Sequence, residues 1–204
     1  MEIRKKKIAK RALPIFLDEI EQNELLKQPN PRYITGLRNL VLIEFMLDTG
    51  LRVSEVTNLK WDQINFKLGD FLIKEGKGNK DRYAYISSDV IGQLEKWRER
   101  QRKDIGLTDF VFTTCKGGKL LVRYIQQMIK RYSVKAGIKK KISPHKLRHT
   151  FATEYYRHSK DILRTSKLLG HNDIATTMIY THIVDEDLAY SQREFQKYKH
   201  NRRK

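Results

Sequence analysis

Two histidines, an arginine and a tyrosine near the C-terminal end of this chain fall at positions where they could act together on a phosphate. His145 and Arg148 follow Ser143-Pro144, His171 follows Leu168-Leu169-Gly170, and Tyr180 lies a short helix further on. Ser143-Pro144 predicts a helix start: a hydroxyl N-cap, then the one residue whose missing N–H costs nothing in the first turn. His145 and Arg148 then share a face close to the helix N-terminus, where partial positive charge favours an anion. Leu147, Phe151 and Tyr155 recur every four residues and define a separate stripe to bury. A second helix over 161–169 stops at Gly170, a natural C′ residue, and delivers His171 just past its end. Asp173 can cap a third short helix that carries Tyr180. Such a set suits phosphoryl chemistry, with Arg and His as fixed donors to phosphate oxygens and a phenol hydroxyl as nucleophile. Taken singly, each residue type is far more often core or solvated surface, so the ordered set carries the reading.

The elements that must position these residues are mostly helical. A helix is predicted from Leu13-Pro14 through Phe16, Ile20 and Leu25, ending before Pro29. From about Arg32 to Asp48 a helix too apolar for a surface follows, terminated by Gly50. Val53 to Lys60 resumes as a helix and puts Arg52 and Glu55 in a tight bend between core elements. The period then changes. Gln63–Phe66, Phe71–Lys74 and Arg82–Ile86 read as short strands of a three-stranded antiparallel sheet, the last two joined by a glycine-rich turn bearing Lys77. Helices capped by Ser88 and running over 122–136 complete a mainly α-helical α+β bundle with one small sheet. A basic lead-in over 1–12, a single domain over 13–182 and an amphipathic tail over 183–204 follow from this pattern.

Composition narrows the partner. Lys plus Arg number 42 against 24 Asp plus Glu among 204 residues, a formal charge of +18, and the isoelectric point is about 9.9. Nucleic acid is the commonest polyanion for such a chain, ahead of an anionic membrane surface. The lone Cys115 excludes an intramolecular disulfide and a cysteine-based zinc site, as suits a reducing cytoplasm. No apolar run reaches the length of a membrane span, and the N-terminus lacks the apolar core of a signal peptide. Two-metal nuclease or transposase chemistry wants clustered carboxylates, whereas the acidic residues here are scattered. A zinc site on His145 and His149 lacks an evident third ligand.

Taken in order, T-G-L-R-V-S-E-V-T-N-L (49–59), G-K-G-N-K-D-R (76–82), H-K-L-R-H (145–149), L-L-G-H (168–171) and Tyr180 resemble the catalytic domain of tyrosine recombinases, the phage-integrase family. The likeness runs from about Leu13 to His182. It implies metal-free breakage and rejoining of double-stranded DNA through a 3′-phosphotyrosyl link, with no cofactor. Carried onto this sequence, it makes Arg52 and Arg148 the phosphate clamp, Lys77 the acid for the departing 5′-oxygen and His145 the base. His171 becomes a phosphate donor, Tyr180 the nucleophile, and Glu55 the support of Arg52. His149, His158 and His182 are read as structural or surface residues. The resemblance further implies a homo-tetramer on DNA, a tail contacting the neighbouring protomer, and an upstream core-binding domain in the full-length protein. A mobile-element or prophage integrase is the expected role. A chromosome-dimer-resolving recombinase, a type IB topoisomerase and a catalytically silent DNA-binding relative are the alternatives.

Overall fold

The computed structural model describes residues 15–73, 81–170 and 176–183, together with 192–193, 195–196 and 198–199. Helices α1 (Glu19–Leu26), α2 (Ile34–Thr49) and α3 (Val53–Asn58) precede strands β1 (Ile64–Asn65), β2 (Asp70–Ile73) and β3 (Arg82–Tyr85). Helices α4 (Ser88–Asp104), α5 (Val122–Lys135), α6 (Pro144–Ser159) and α7 (Ile162–Leu169) follow, and Met178–Ile183 forms a 3₁₀ turn. The expected α+β bundle is what forms. Its sheet is antiparallel in the order β1-β2-β3, with Ile64 opposite Phe71 and Phe71 opposite Ala84. No helix among the described residues is long and apolar enough to cross a membrane.

Helix α2 is the axle. Val41, Leu42, Ile43, Phe45 and Met46 are all fully buried, so the helix is apolar on nearly every side and must be surrounded. It packs against α4 on one side and α6 on another. Phe45 reaches the sheet at Phe71 and the loop after α4 at Phe112, with ring centroids 5.7 and 5.8 Å apart. Trp97 of α4 is fully buried and donates its indole N–H to the Val111 carbonyl at 2.7 Å. A buried arginine, Arg38, is spent on structure: it donates to the Thr113 carbonyl at 2.8 Å and to Asn39 and Tyr124.

Several boundaries follow their punctuation. Gly50 ends α2 in the left-handed conformation at φ 62°, and a Cβ there would lie 2.2 Å from the ring of Phe151 on α6. Gly50→Ala thus combines a strained backbone with a clash, and it should cost about 2 kcal/mol or more. A fall in thermal midpoint of several degrees checks this; an unchanged midpoint would contradict the close approach of α2 and α6.

Two expected helix starts shift. The first helix begins at Glu19 and not near Leu13, because Asp18 and Glu21 form a reciprocal capping box there. Residues 15–18 lie outside any helix instead, with the Leu17 N–H donating to Thr150 Oγ1 of α6 at 2.9 Å. Ile20 is 76% exposed, while Leu17 takes a core position. The cap of α4 is Ser87, whose hydroxyl accepts from the Val90 N–H, so the helix begins one residue inside that cap. Ser143 and Pro144 stand where expected, but the Ser143 side chain makes no capping bond.

Candidate active site

The site is assembled on the C-terminal end of α7. Asp161 caps the start of that helix by accepting from the Arg164 N–H at 2.9 Å, and Gly170 closes it at φ 64°. Carbonyls at a helix end lack intrahelical partners and carry partial negative charge, so they attract cationic donors. Two successive carbonyls are taken by two arginines from different elements. Arg148 of α6 donates to the Leu169 carbonyl at 2.5 Å and to the Gly50 carbonyl at 2.9 Å. Arg52, the N-cap of α3, donates to the Gly170 carbonyl at 2.8 Å. The two guanidiniums that the sequence placed in one clamp are therefore held side by side.

A carboxylate keeps them apart from collapse. Glu55 accepts the Arg52 backbone N–H at 2.7 Å and Arg52 Nη1 at 3.0 Å. It also accepts Arg82 Nη2 on both oxygens at 2.9 Å. Glu55 thus bonds Arg52 and a third arginine, Arg82, at once. Arg82 closes the G-K-G-N-K-D-R run. It had a legible signal, since it alternates with Ala84 and Ile86, both buried, on the inner face of β3. A cation on an inward face demands a partner. Gly170 also serves this arrangement: a Cβ on it would lie 2.8 Å from Cζ of Arg82, so the guanidinium can lie flat against the turn only where no side chain stands.

The electrostatics favour an anion. Among these groups, three guanidiniums face one carboxylate. Arg148 is 4% exposed, and burial, then repulsion from Arg52, pulls its guanidinium down to about 10. It remains charged at neutral pH while gaining from any phosphate that replaces its lost water. Burial, ahead of the charges of Lys146 and Arg148, likewise depresses the His145 imidazole below its usual range.

Tyr180 sits behind this cluster. It is 1% exposed, in a small apolar pocket with Ala152 of α6 and Leu169 of α7. Its hydroxyl lies 2.5 Å from Nδ1 of His149. Burial pushes the phenol up to about 12, against the attraction of Arg148, so it carries its proton at neutral pH. His149 was expected to be structural or surface; it is buried and touches the expected nucleophile. His145 stacks edge-on against His149 with ring centroids 4.3 Å apart and makes no hydrogen bond to Tyr180. The available signal was the i,i+4 spacing of the two histidines. Lys77 and His171 lie outside the described residues, as does Asp173. Among the described residues no group of three or more His, Cys, Asp or Glu could hold a metal ion.

A bundle of this topology has clear counterparts. The family model described as "Phage integrase family" matches residues 16–187. Tyrosine recombinase XerD of Staphylococcus saprophyticus subsp. saprophyticus is 35% identical over 188 residues, which are 91% of this chain and 63% of the relative. The crystal structure of XerA recombinase superposes with a TM-score of 0.77 at 31% identity, covering 90% of this chain and 65% of that one. The XerH site-specific recombinase, solved bound to a palindromic difH substrate as a post-cleavage complex, gives a TM-score of 0.78 at 27% identity. That match covers 94% of this chain and 56% of the other. This chain belongs to the phage integrase family. It spans less than two thirds of the length of the XerD relative.

Proposed function

We propose that this chain is the catalytic part of a site-specific DNA recombinase, cutting and rejoining double-stranded DNA through a phosphotyrosyl link. The observation that carries the reading is the pairing of Arg52 and Arg148 on adjacent carbonyls of α7, with the charge of Arg148 felt at the Tyr180 phenol. A scissile phosphate docked there gains charge on its non-bridging oxygens as the reaction proceeds, and two fixed guanidiniums stabilise that charge without reorganising. Tyr180 Oη forms a bond to phosphorus as the bond from phosphorus to the 5′-oxygen breaks. The leaving oxygen takes a proton from Lys77, and His171 donates a hydrogen bond to the phosphate. His145 sits beside the clamp at the N-terminus of α6, where it can donate to the same phosphate or receive the nucleophile's proton.

Tyr180 is buried, so attack requires its short 3₁₀ turn to shift and bring the hydroxyl to the phosphate. The energy of the broken phosphodiester stays in the phosphotyrosine, and a 5′-hydroxyl reverses the step without a nucleotide cofactor. Residues 13–182 form the catalytic domain and 183–204 a tail that contacts a neighbouring protomer. The active assembly is a tetramer on DNA, and the full-length protein carries an upstream core-binding domain. Support comes from the family membership and from XerH, whose structure holds its own difH DNA.

The test uses a pool of nicked DNA duplexes randomised around the nick. Incubation with the chain should yield a protein–DNA adduct that survives denaturation and is unaffected by EDTA. Cleavage without an adduct, or cleavage lost to EDTA, would replace this reading with a metal-dependent nuclease. Sequencing the trapped ends then separates the roles, and termini of a mobile element are the expected result.

A further inference from the structure

We infer that Arg82 is a positioning residue for the phosphate clamp: by sharing the Glu55 carboxylate, it leaves the positive charge of Arg52 available to the scissile phosphate. The inference rests on the reading of Arg52 as half of that clamp and adds a third guanidinium behind it. Glu55 Oε1 accepts from Arg52 Nη1 at 3.0 Å and from Arg82 Nη2 at 2.9 Å. Its Oε2 accepts from the Arg52 backbone N–H at 2.7 Å and from Arg82 Nη2 at 2.9 Å. One negative charge is thus divided between two guanidiniums. With Arg82 taken away, Arg52 and Glu55 form a pair close to neutral. An anion docking on Arg52 then meets the repulsion of the carboxylate almost undiminished.

Exposure separates the two arginines. The Arg52 side chain is 36% exposed, whereas those of Arg82 and Glu55 are 9% and 11% exposed. Arg52 can therefore reach a docked phosphate, and Arg82 acts on it through Glu55. Charges this deeply set are weakly screened by salt, so how the carboxylate is divided between two cations matters to the whole cluster. Arg148 registers it: burial comes first in pulling its guanidinium down, Arg52 and Arg82 add to the effect, and Glu55 opposes them. The place of Arg82 is fixed from two sides. It opens β3 opposite Ile73, and its guanidinium lies over Gly170, whose carbonyl accepts from Arg52. Arg82 thus joins the sheet, the first turn of α3 and the end of α7 at one point.

Single-turnover adduct formation on the nicked-duplex pool tests this, at saturating DNA and well below the melting temperature of each variant. Arg82→Met keeps much of the side chain's length and removes its charge. It should slow adduct formation by about tenfold or more while DNA affinity stays within about threefold. Adding Glu55→Gln to Arg82→Met removes the carboxylate that neutralises Arg52, so the double variant should be about tenfold faster than Arg82→Met alone. Two purely structural lesions would add or worsen and could not rescue each other. Arg82→Gln, which can still donate to Glu55 but carries no charge, should be as slow as Arg82→Met and takes its place if the methionine variant does not fold. A rate for either single variant within about threefold of the unaltered chain would overturn the inference. So would a double variant no faster than its single parent. Failure of the underlying reading looks different: the unaltered chain then forms no adduct, or Tyr180→Phe still forms one.

Discussion

Tyr180→Phe is expected to bind DNA as the unaltered chain does and to form no covalent adduct with it. The substitution removes one oxygen from a ring that is 1% exposed and keeps the apolar contacts with Ala152 and Leu169. Its structural cost is the hydrogen bond to His149, about 1 kcal/mol, so the fold survives. The chemical cost is total, because no other group occupies that position; adduct yield should fall by at least about 10⁴-fold. Tyr155 and Tyr156 are half-buried one to two turns further along α6 and are not placed to substitute. Gel shift and denaturing electrophoresis on the nicked pool measure the two halves of this expectation. Adduct in the variant would move the nucleophile to another tyrosine.

Arg148→Ala should be nearly as severe, through two effects that can be separated. A guanidinium at a phosphoryl transition state is worth about 10³–10⁵ in rate, and Arg148 is the more deeply buried half of the pair. The same side chain also satisfies the Gly50 and Leu169 carbonyls. Leaving a buried acceptor unpaired costs about 1–3 kcal/mol, so the alanine variant should melt earlier as well. Arg148→Lys keeps one positive charge and loses the planar fork. It should recover much of the thermal midpoint while adduct formation stays at least about 10²-fold down. Rates near normal in the lysine variant would remove bidentate clamping from the account.

The contrast between these residues shows what could be read before the fold was known. Arg52 and Arg148 were legible because each stands beside punctuation that sets an element's end, Gly50 and Ser143-Pro144, and Tyr180 because it follows Gly170 at the length of a short helix. Those glycines do more than stop helices. Their carbonyls receive the two arginines, an arrangement that needs α2 and α7 brought together in space and leaves no mark in local spacing. Arg82 is legible from strand alternation alone. His149 had its spacing from His145 in view, yet its partner lies 31 positions away along the chain and is met only through the packing of α6 on the 3₁₀ turn. The start of α1 is set by the Asp18 and Glu21 capping box, a stronger signal than Pro14.

The charge pattern accounts for three guanidiniums lying close together. Glu55 offsets part of the repulsion among Arg52, Arg82 and Arg148, and the carbonyls of α7 take more. A docked phosphate would then add its charge to an arrangement already in place, which is how a preorganised site lowers a barrier.

Digesting the trapped adduct and mapping it by mass spectrometry tests the central claim most directly. The account predicts one nucleotide-bearing peptide, modified on Tyr180 and linked to a DNA 3′-phosphate. Modification of any other residue, or linkage through a 5′-phosphate, would contradict it.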